Sequence, residues 1–238
     1  DIKIKPFAIG GTQNQITDEK TVNDNIGNGG FDIYYGLKSN LTLNLTYNTD
    51  FAQVEADNAQ INLTRFNFFY PEKREFFLTR SILFAFGNSR QTEVFFSRKI
   101  GLNQDVVGGA RLFGKIGKTS VGALNIHTRA DGDLPATHYN AIRLRKDVRD
   151  RTTVGAIITD VSSKGVRNSV YGIDGQMRFW GNSSVSAWYS QVDDTSLVGP
   201  SAASMIKLDL RNDRYFLTTG QNLVVLVSIQ HRSRRTKR

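Results

Sequence analysis

Residues 171–179 read Tyr171-Gly172-Ile173-Asp174-Gly175-Gln176-Met177-Arg178-Phe179, and their alternation decides the fold. Successive side chains of an extended strand point to opposite faces. Tyr171, Ile173, Gly175, Met177 and Phe179 therefore share one face, and Gly172, Asp174, Gln176 and Arg178 share the other. The same period of 2 recurs from about residue 105 to 192 with no helical stretch between, which predicts an antiparallel sheet with one oily and one ionic face. Working outward, Ile142 and Leu144 alternate with Ala141, Arg143 and Arg145, and Ile206, Leu208 and Leu210 alternate with Lys207, Asp209 and Arg211. Upstream, Leu41, Leu43, Leu45 and Tyr47 alternate with Thr42, Asn44, Thr46 and Asn48.

Connections between these segments come in two kinds. Tight turns are expected near residues 38–40, 115–118, 147–150, 181–182 and 212–213, all rich in residues that tolerate turn geometry. Longer polar links are expected at 129–137, 161–168 and 193–203. A first strand at residues 2–10 precedes a loop, rich in Gly, Asn and Gln, that reaches about residue 28. Short turns at one end and long loops at the other are the plan of an up-and-down transmembrane β-barrel. The reading is an all-β fold of roughly 12 antiparallel strands, a single domain over residues 1–238.

Composition is compatible with that plan. The 238 residues include 21 glycines, only four prolines and no cysteine. Proline interrupts a hydrogen-bonded ladder, so its scarcity suits strands. Lack of cysteine removes disulfide scaffolds, thiolate zinc sites and cysteine nucleophiles. Mean hydropathy is −0.35, and no run of about 18 apolar residues offers a spanning helix. A barrel strand needs only about 10 residues, half of them facing lipid, so low hydropathy leaves the barrel open. The formal charge is +9, and five of the 31 Lys and Arg residues crowd into the basic tail at 231–238. The remaining cations are dispersed without a basic helix, so no nucleic-acid partner is expected.

An Arg or Lys facing lipid at mid-bilayer costs about 2–4 kcal/mol. The ionic face is therefore assigned to the lumen: Arg111, Arg143, Arg145, Asp174, Arg178, Lys207, Asp209 and Arg211. Tyr34, Tyr35, Trp180, Trp188 and Tyr189 become candidate aromatics at the membrane boundaries. The alternative is a soluble β-sandwich that turns its oily face into a core and binds carbohydrate through Trp180, Trp188 and Tyr189.

Residues 50–101 break the alternation. They contain DFAQVEAD at 50–57, YPEKREFF at 70–77 and FFSRKIG at 95–101. In this order and spacing they resemble a family of Gram-negative outer-membrane β-barrels of unknown function that commonly follow a family-9-type carbohydrate-binding module. The resemblance implies an outer-membrane location and a link to glycan handling. It also implies a barrel that is truncated or incompletely closed here, because the family's barrel region is usually longer. Within the irregular stretch, Pro71, Glu72, Lys73, Arg74, Glu75, Phe76 and Phe77 form a compact charged and aromatic motif. It reads either as an inward-folded loop that plugs the pore, since irregular backbone at membrane depth is tolerated only inside a cavity, or as an ordinary solvated turn.

No chemistry-bearing constellation emerges. His127, His138 and His231 lack metal-ligand spacing, and Asp131-Gly132-Asp133 lacks the remaining ligands of a calcium loop. Asp50, Glu55 and Asp57 have no second element to fix a glycosidase separation. The expected function is a non-enzymatic pore or surface-uptake component without cofactor or metal. Its polar cationic lumen would suit anionic solutes or glycans, and outer-membrane lipid would be its surroundings.

Overall fold

The computed structural model describes residues 1–17, 20–49, 72–87, 94–101, 104–180, 182–196, 201–211 and 216–225. DFAQVEAD, Pro71, the turns at 181 and 212–213, His231 and the basic tail lie outside them. The chain opens with β1 (Ile2–Thr17), β2 (Lys20–Lys38) and β3 (Leu41–Tyr47). After the irregular segment come β4 (Val106–Ile116), β5 (Thr119–Thr128), β6 (Thr137–Arg149) and β7 (Thr152–Ser163). The last four are β8 (Val166–Phe179), β9 (Ser183–Asp194), β10 (Ser201–Arg211) and β11 (Phe216–Val225). All eleven lie in one antiparallel sheet in chain order. Each strand pairs only with its sequence neighbours, so the described sheet is up-and-down and is not closed into a barrel.

Eleven described strands replace the roughly 12 expected, and the differences are local. The predicted loop from residue 10 to 28 is largely strand, because β1 and β2 stay paired out to Thr17 opposite Lys20. Gly, Asn and Gln have low strand propensity, but a continuous cross-strand ladder overrides propensity. The predicted loop at 161–168 is a two-residue turn, Lys164-Gly165, with β7 running to Ser163 and β8 starting at Val166. Both turn residues have positive φ, 23° and 81°, and glycine supplies the second at no steric cost.

Register carries the alternation from strand to strand, interrupted only at the shifts Gly36–Lys38, Val106–Gly108 and Asp147–Arg149. Ala123, Ile142, Ile158 and Tyr171 stand side by side on four successive strands. One row on, Val121, Leu144, Ala156, Ile173 and Tyr189 do the same. This face is bare: Ile142 is 50% exposed and Ile173 62%. The opposite face is covered by the irregular segment, which contains the short helix α1 (Glu75–Leu78) and two 3-10 turns, Ser81–Phe84 and Ser97–Lys99. Its Phe76, Phe77 and Phe84 are buried with Ile100, Val106, Leu124, Ile126 and Ala141. A second cluster joins Phe86 to Ile157, Trp188 and Met205. Full burial of such side chains contributes about 1.5–3 kcal/mol each, which fixes the segment to the sheet.

Candidate functional site

On the covered face the strands supply cations, and the irregular segment supplies carbonyls and rings. Arg111 of β4 is 2% exposed. Its guanidinium donates to the backbone oxygens of Phe76 and Thr79, which lie in and just after α1. A four-residue helix leaves its last carbonyls unpaired, and Arg111 satisfies two carbonyls there. It also lies over the Phe113 ring at 4.8 Å.

Two strands away, Arg143 of β6 is equally buried and makes a bidentate pair with Asp174 of β8, at 2.6 and 2.7 Å. The pair spans β7 over Gly155. A Cβ there would lie 2.5 Å from one Arg143 nitrogen and 2.7 Å from Asp174 Oδ1. Glycine therefore opens the slot through which the ions meet. Arg143 also lies 5.6 Å from the Phe86 ring centroid.

The segment holds its own shape with a clip at its start. Glu72 accepts from Arg74 Nε and Nη2, both at 2.7 Å, and from the Ser97 hydroxyl at 2.7 Å. Arg74 also donates to the carbonyls of Ser97 and Ile100 and stacks over Phe77 at 4.2 Å. The YPEKREFF and FFSRKIG stretches are thus tied together through Glu72, Arg74 and Ser97. Burial of Glu72 opposes its charge, but the bonds from Arg74 and Ser97 outweigh that and hold its carboxyl below the ordinary value. A depressed carboxyl contributes stability that is whole above the ordinary value of 4.5 and is lost as pH falls through the folded value. Limited proteolysis of segment 72–101 is accordingly expected to be slow near neutrality and to accelerate only in acid below that value, whereas a Glu72→Gln variant should be cut rapidly at neutral pH.

The remaining lumen candidates gather toward the tight-turn end of the same face. Lys207 pairs with Asp209 at 2.9 Å, and Asp209 also accepts from Thr218. Arg145 lies beside Thr153 at 3.4 Å, and Arg178 stands opposite Ser184 on β9. Arg145, Arg178 and Arg211 are exposed, unlike Arg111 and Arg143. The structure therefore groups the ionic positions on one face and divides them into a buried set under the segment and an open set beyond it. Within the motif, Phe76 and Phe77 are buried and Glu75 is exposed; Glu75 is bonded to Lys5 of β1.

Two boundary aromatics require correction. Tyr34 stands opposite Asn44 on the covered face. Trp188, 6% exposed, packs there against Phe86 at 6.0 Å. Strand parity alone puts both on the covered face. Tyr35, Trp180 and Tyr189 are exposed. His127 and His138 stack across β5 and β6 at 4.1 Å on the bare face.

The seating glycines are what sequence reasoning missed. Gly122 faces the Phe84 ring, where a Cβ would come to 3.1 Å. Gly172 faces Phe86, where a Cβ would come to 2.6 Å. Both fall on the ionic face, and a glycine at such a position marks close approach of another group. Gly172→Val is expected to push Phe86 off Trp188, read as a red shift of Trp188 emission in a variant whose Trp180 is replaced by Phe. An unchanged spectrum would mean that Phe86 does not occupy the slot.

Fold and site together define an all-β protein whose single up-and-down sheet carries an internal segment on its ionic face, while none of the described residues covers its apolar face. The chain belongs to the family described as Domain of unknown function (DUF5916), matched over residues 2–214. No curated protein and no solved structure matches it.

Proposed function

We propose that the sheet is the wall of a Gram-negative outer-membrane β-barrel, non-enzymatic, whose bare face meets lipid. Its covered face lines a pore or surface-uptake channel partly plugged by the segment around 71–101. One observation carries the reading: an apolar belt runs across the bare face while every buried Arg of the described strands sits on the other. Eleven strands at about 4.8 Å each make the belt roughly 50 Å wide, an apolar area on the order of 1,000 Å². Soluble monomers rarely leave so much exposed. On the long-loop side a polar row bounds it across β5 to β9, with Asn125 and Asn140 bonded at 2.7 Å beside Asp160, Ser169 and Asp193. A sandwich would need a second sheet over this face, and its carbohydrate platform would need Trp188, which is buried.

The lumen candidates comprise Arg111, Arg143, Arg145, Arg178, Lys207 and Arg211 against only Asp174 and Asp209. Such a lining lowers the entry barrier for anions, and the family resemblance adds glycans as a solute class. Nucleic acid is not expected as a partner.

The test is twofold. In liposomes containing brominated lipid, a Trp188→Phe variant should show strong quenching of Trp180, which is 83% exposed at the end of β8. In planar bilayers under a salt gradient, the reversal potential should report anion preference. Absence of quenching would sink the membrane assignment, and cation preference would sink the cationic lumen.

A further inference from the structure

Above the apolar belt, at the long-loop end of the bare face, the turn between β7 and β8 forms one wall of a cleft of about 430 Å³. Its lining includes His138, Ser162, Lys164 and Arg167. We propose that this cleft binds the phosphate of a membrane lipid headgroup, a reading that rests on the lipid-facing assignment of the bare face.

Height is the first argument. Ile158 and Tyr171 are the last apolar pair on β7 and β8 before the polar row Asp160 and Ser169, and the next outward pair is Ser162 and Arg167. The Arg167 side chain does not continue upward. Its Nε donates to Asp160 Oδ2 at 2.6 Å, so the guanidinium reaches back to the Asp160 row. That row is two residues beyond the apolar edge, about 6–7 Å along the strand. The headgroup layer begins there, because a bilayer of about 40–45 Å encloses a hydrocarbon core of about 30 Å. Long cationic side chains commonly reach toward that layer with their stems on apolar surface.

Chemistry is the second argument. The Arg167 side chain is 64% exposed, and Asp160 engages only its Nε, leaving both terminal nitrogens of the fork without a partner among the described residues. A guanidinium fork of this kind suits two phosphate oxygens. Lys164, exposed in the turn, and His138 border the same cleft as further donors, and Ser162 adds a hydroxyl. The acidic groups facing Arg167 are Asp160 and Asp193, and both stand on the membrane side of it, in the row with Ser169. The outer edge of the cleft is therefore cationic. A site so placed would hold a lipid against the wall without blocking the lumen, which lies on the other face of the sheet.

The experiment uses the full chain, delipidated in mild detergent and returned to phosphatidylcholine vesicles doped with a bis-phosphorylated glucosamine lipid. Native mass spectrometry of the re-extracted protein should show a retained glycolipid. A Lys164→Gln, Arg167→Gln double variant should lose at least about tenfold of that occupancy, since an exposed phosphate contact is electrostatic and falls with charge and with salt. Insertion, read by the Trp180 quenching described above, should be unchanged in the double variant. Equal retention by both proteins would overturn the proposal. So would equal retention of the dephosphorylated lipid, or competition by inorganic phosphate at equimolar concentration, which would make free phosphate the ligand. A wild-type protein that inserts but retains no glycolipid also overturns it and leaves the membrane assignment standing. Failure to insert at all would instead bring down the reading on which the site depends.

Discussion

Ile173→Arg is expected to abolish stable assembly into lipid vesicles while Gln176→Arg, three residues along the same strand, leaves it intact. Ile173 sits in the middle of the bare belt between Ala156 and Tyr189 and is 62% exposed. For a soluble protein an exposed substitution of this kind changes stability by no more than about 0.5 kcal/mol. For a lipid-facing strand at mid-bilayer the cost is about 2–4 kcal/mol, a factor of roughly 30 to 1,000 in the folding equilibrium. The two environments thus differ by more than the error of a urea titration. Gln176 is the internal control because it shares the covered face with Arg178 and Asp174, so on the proposed reading a cation there would meet the open, polar part of the lumen. The measurement is the fraction folded into unilamellar vesicles, read by heat-modifiable migration and by the urea midpoint. Equal midpoints for the two variants would mean that residue 173 meets water, and the membrane assignment would fall.

How much of this could be read beforehand follows from what strands encode. Parity along a strand is a local property, so the division of Arg143 from Ile142, and of Asp174 from Ile173, is present in any three consecutive residues. The structure retains it through the continuous registers of the sheet and loses it only at the bulges near Gly36–Lys38, Val106–Gly108 and Asp147–Arg149. Strand ends are less legible, because they depend on whether the neighbour continues. Residues 11–17 and 20–28 look like a loop one residue at a time and become strand only because each has a partner, up to Thr17 opposite Lys20.

The segment packed on the ionic face is least legible, since its shape is set by contacts between residues far apart in sequence. Arg111 meets the carbonyls of Phe76 and Thr79 across more than thirty residues, and no periodicity announces that. What the sequence does contain is the complementary imprint: Gly122, Gly155 and Gly172 interrupt the ionic face where the segment or an ion pair must come close. Aromatic type is a poor guide for the opposite reason: Trp188 and Tyr34 have side chains suited to a membrane boundary but a strand parity that puts them on the covered face.

Deletion of residues 71–77 is expected to raise single-channel conductance several-fold in planar bilayers. Phe76 and Phe77 are 3% and 4% exposed in the cluster that fixes the segment to β4, β5 and β6. Arg111 holds the end of α1, and Glu72 and Arg74 join the segment's beginning to Ser97 and Ile100. Removing these residues takes away the clip and the Phe76 carbonyl that Arg111 holds, and on the proposed reading turns the Arg111 cation toward the lumen. Conductance and anion preference should therefore rise together. That coupling separates a plug from a merely structural turn, because loss of a turn would destabilise the protein without altering selectivity. A milder variant, Arg111→Met, keeps side-chain volume but removes the donors to Phe76 and Thr79. It should increase the frequency of brief open events while lowering anion preference, since the cation itself is gone. If both variants insert normally and conduct as the wild type does, the segment does not obstruct the channel.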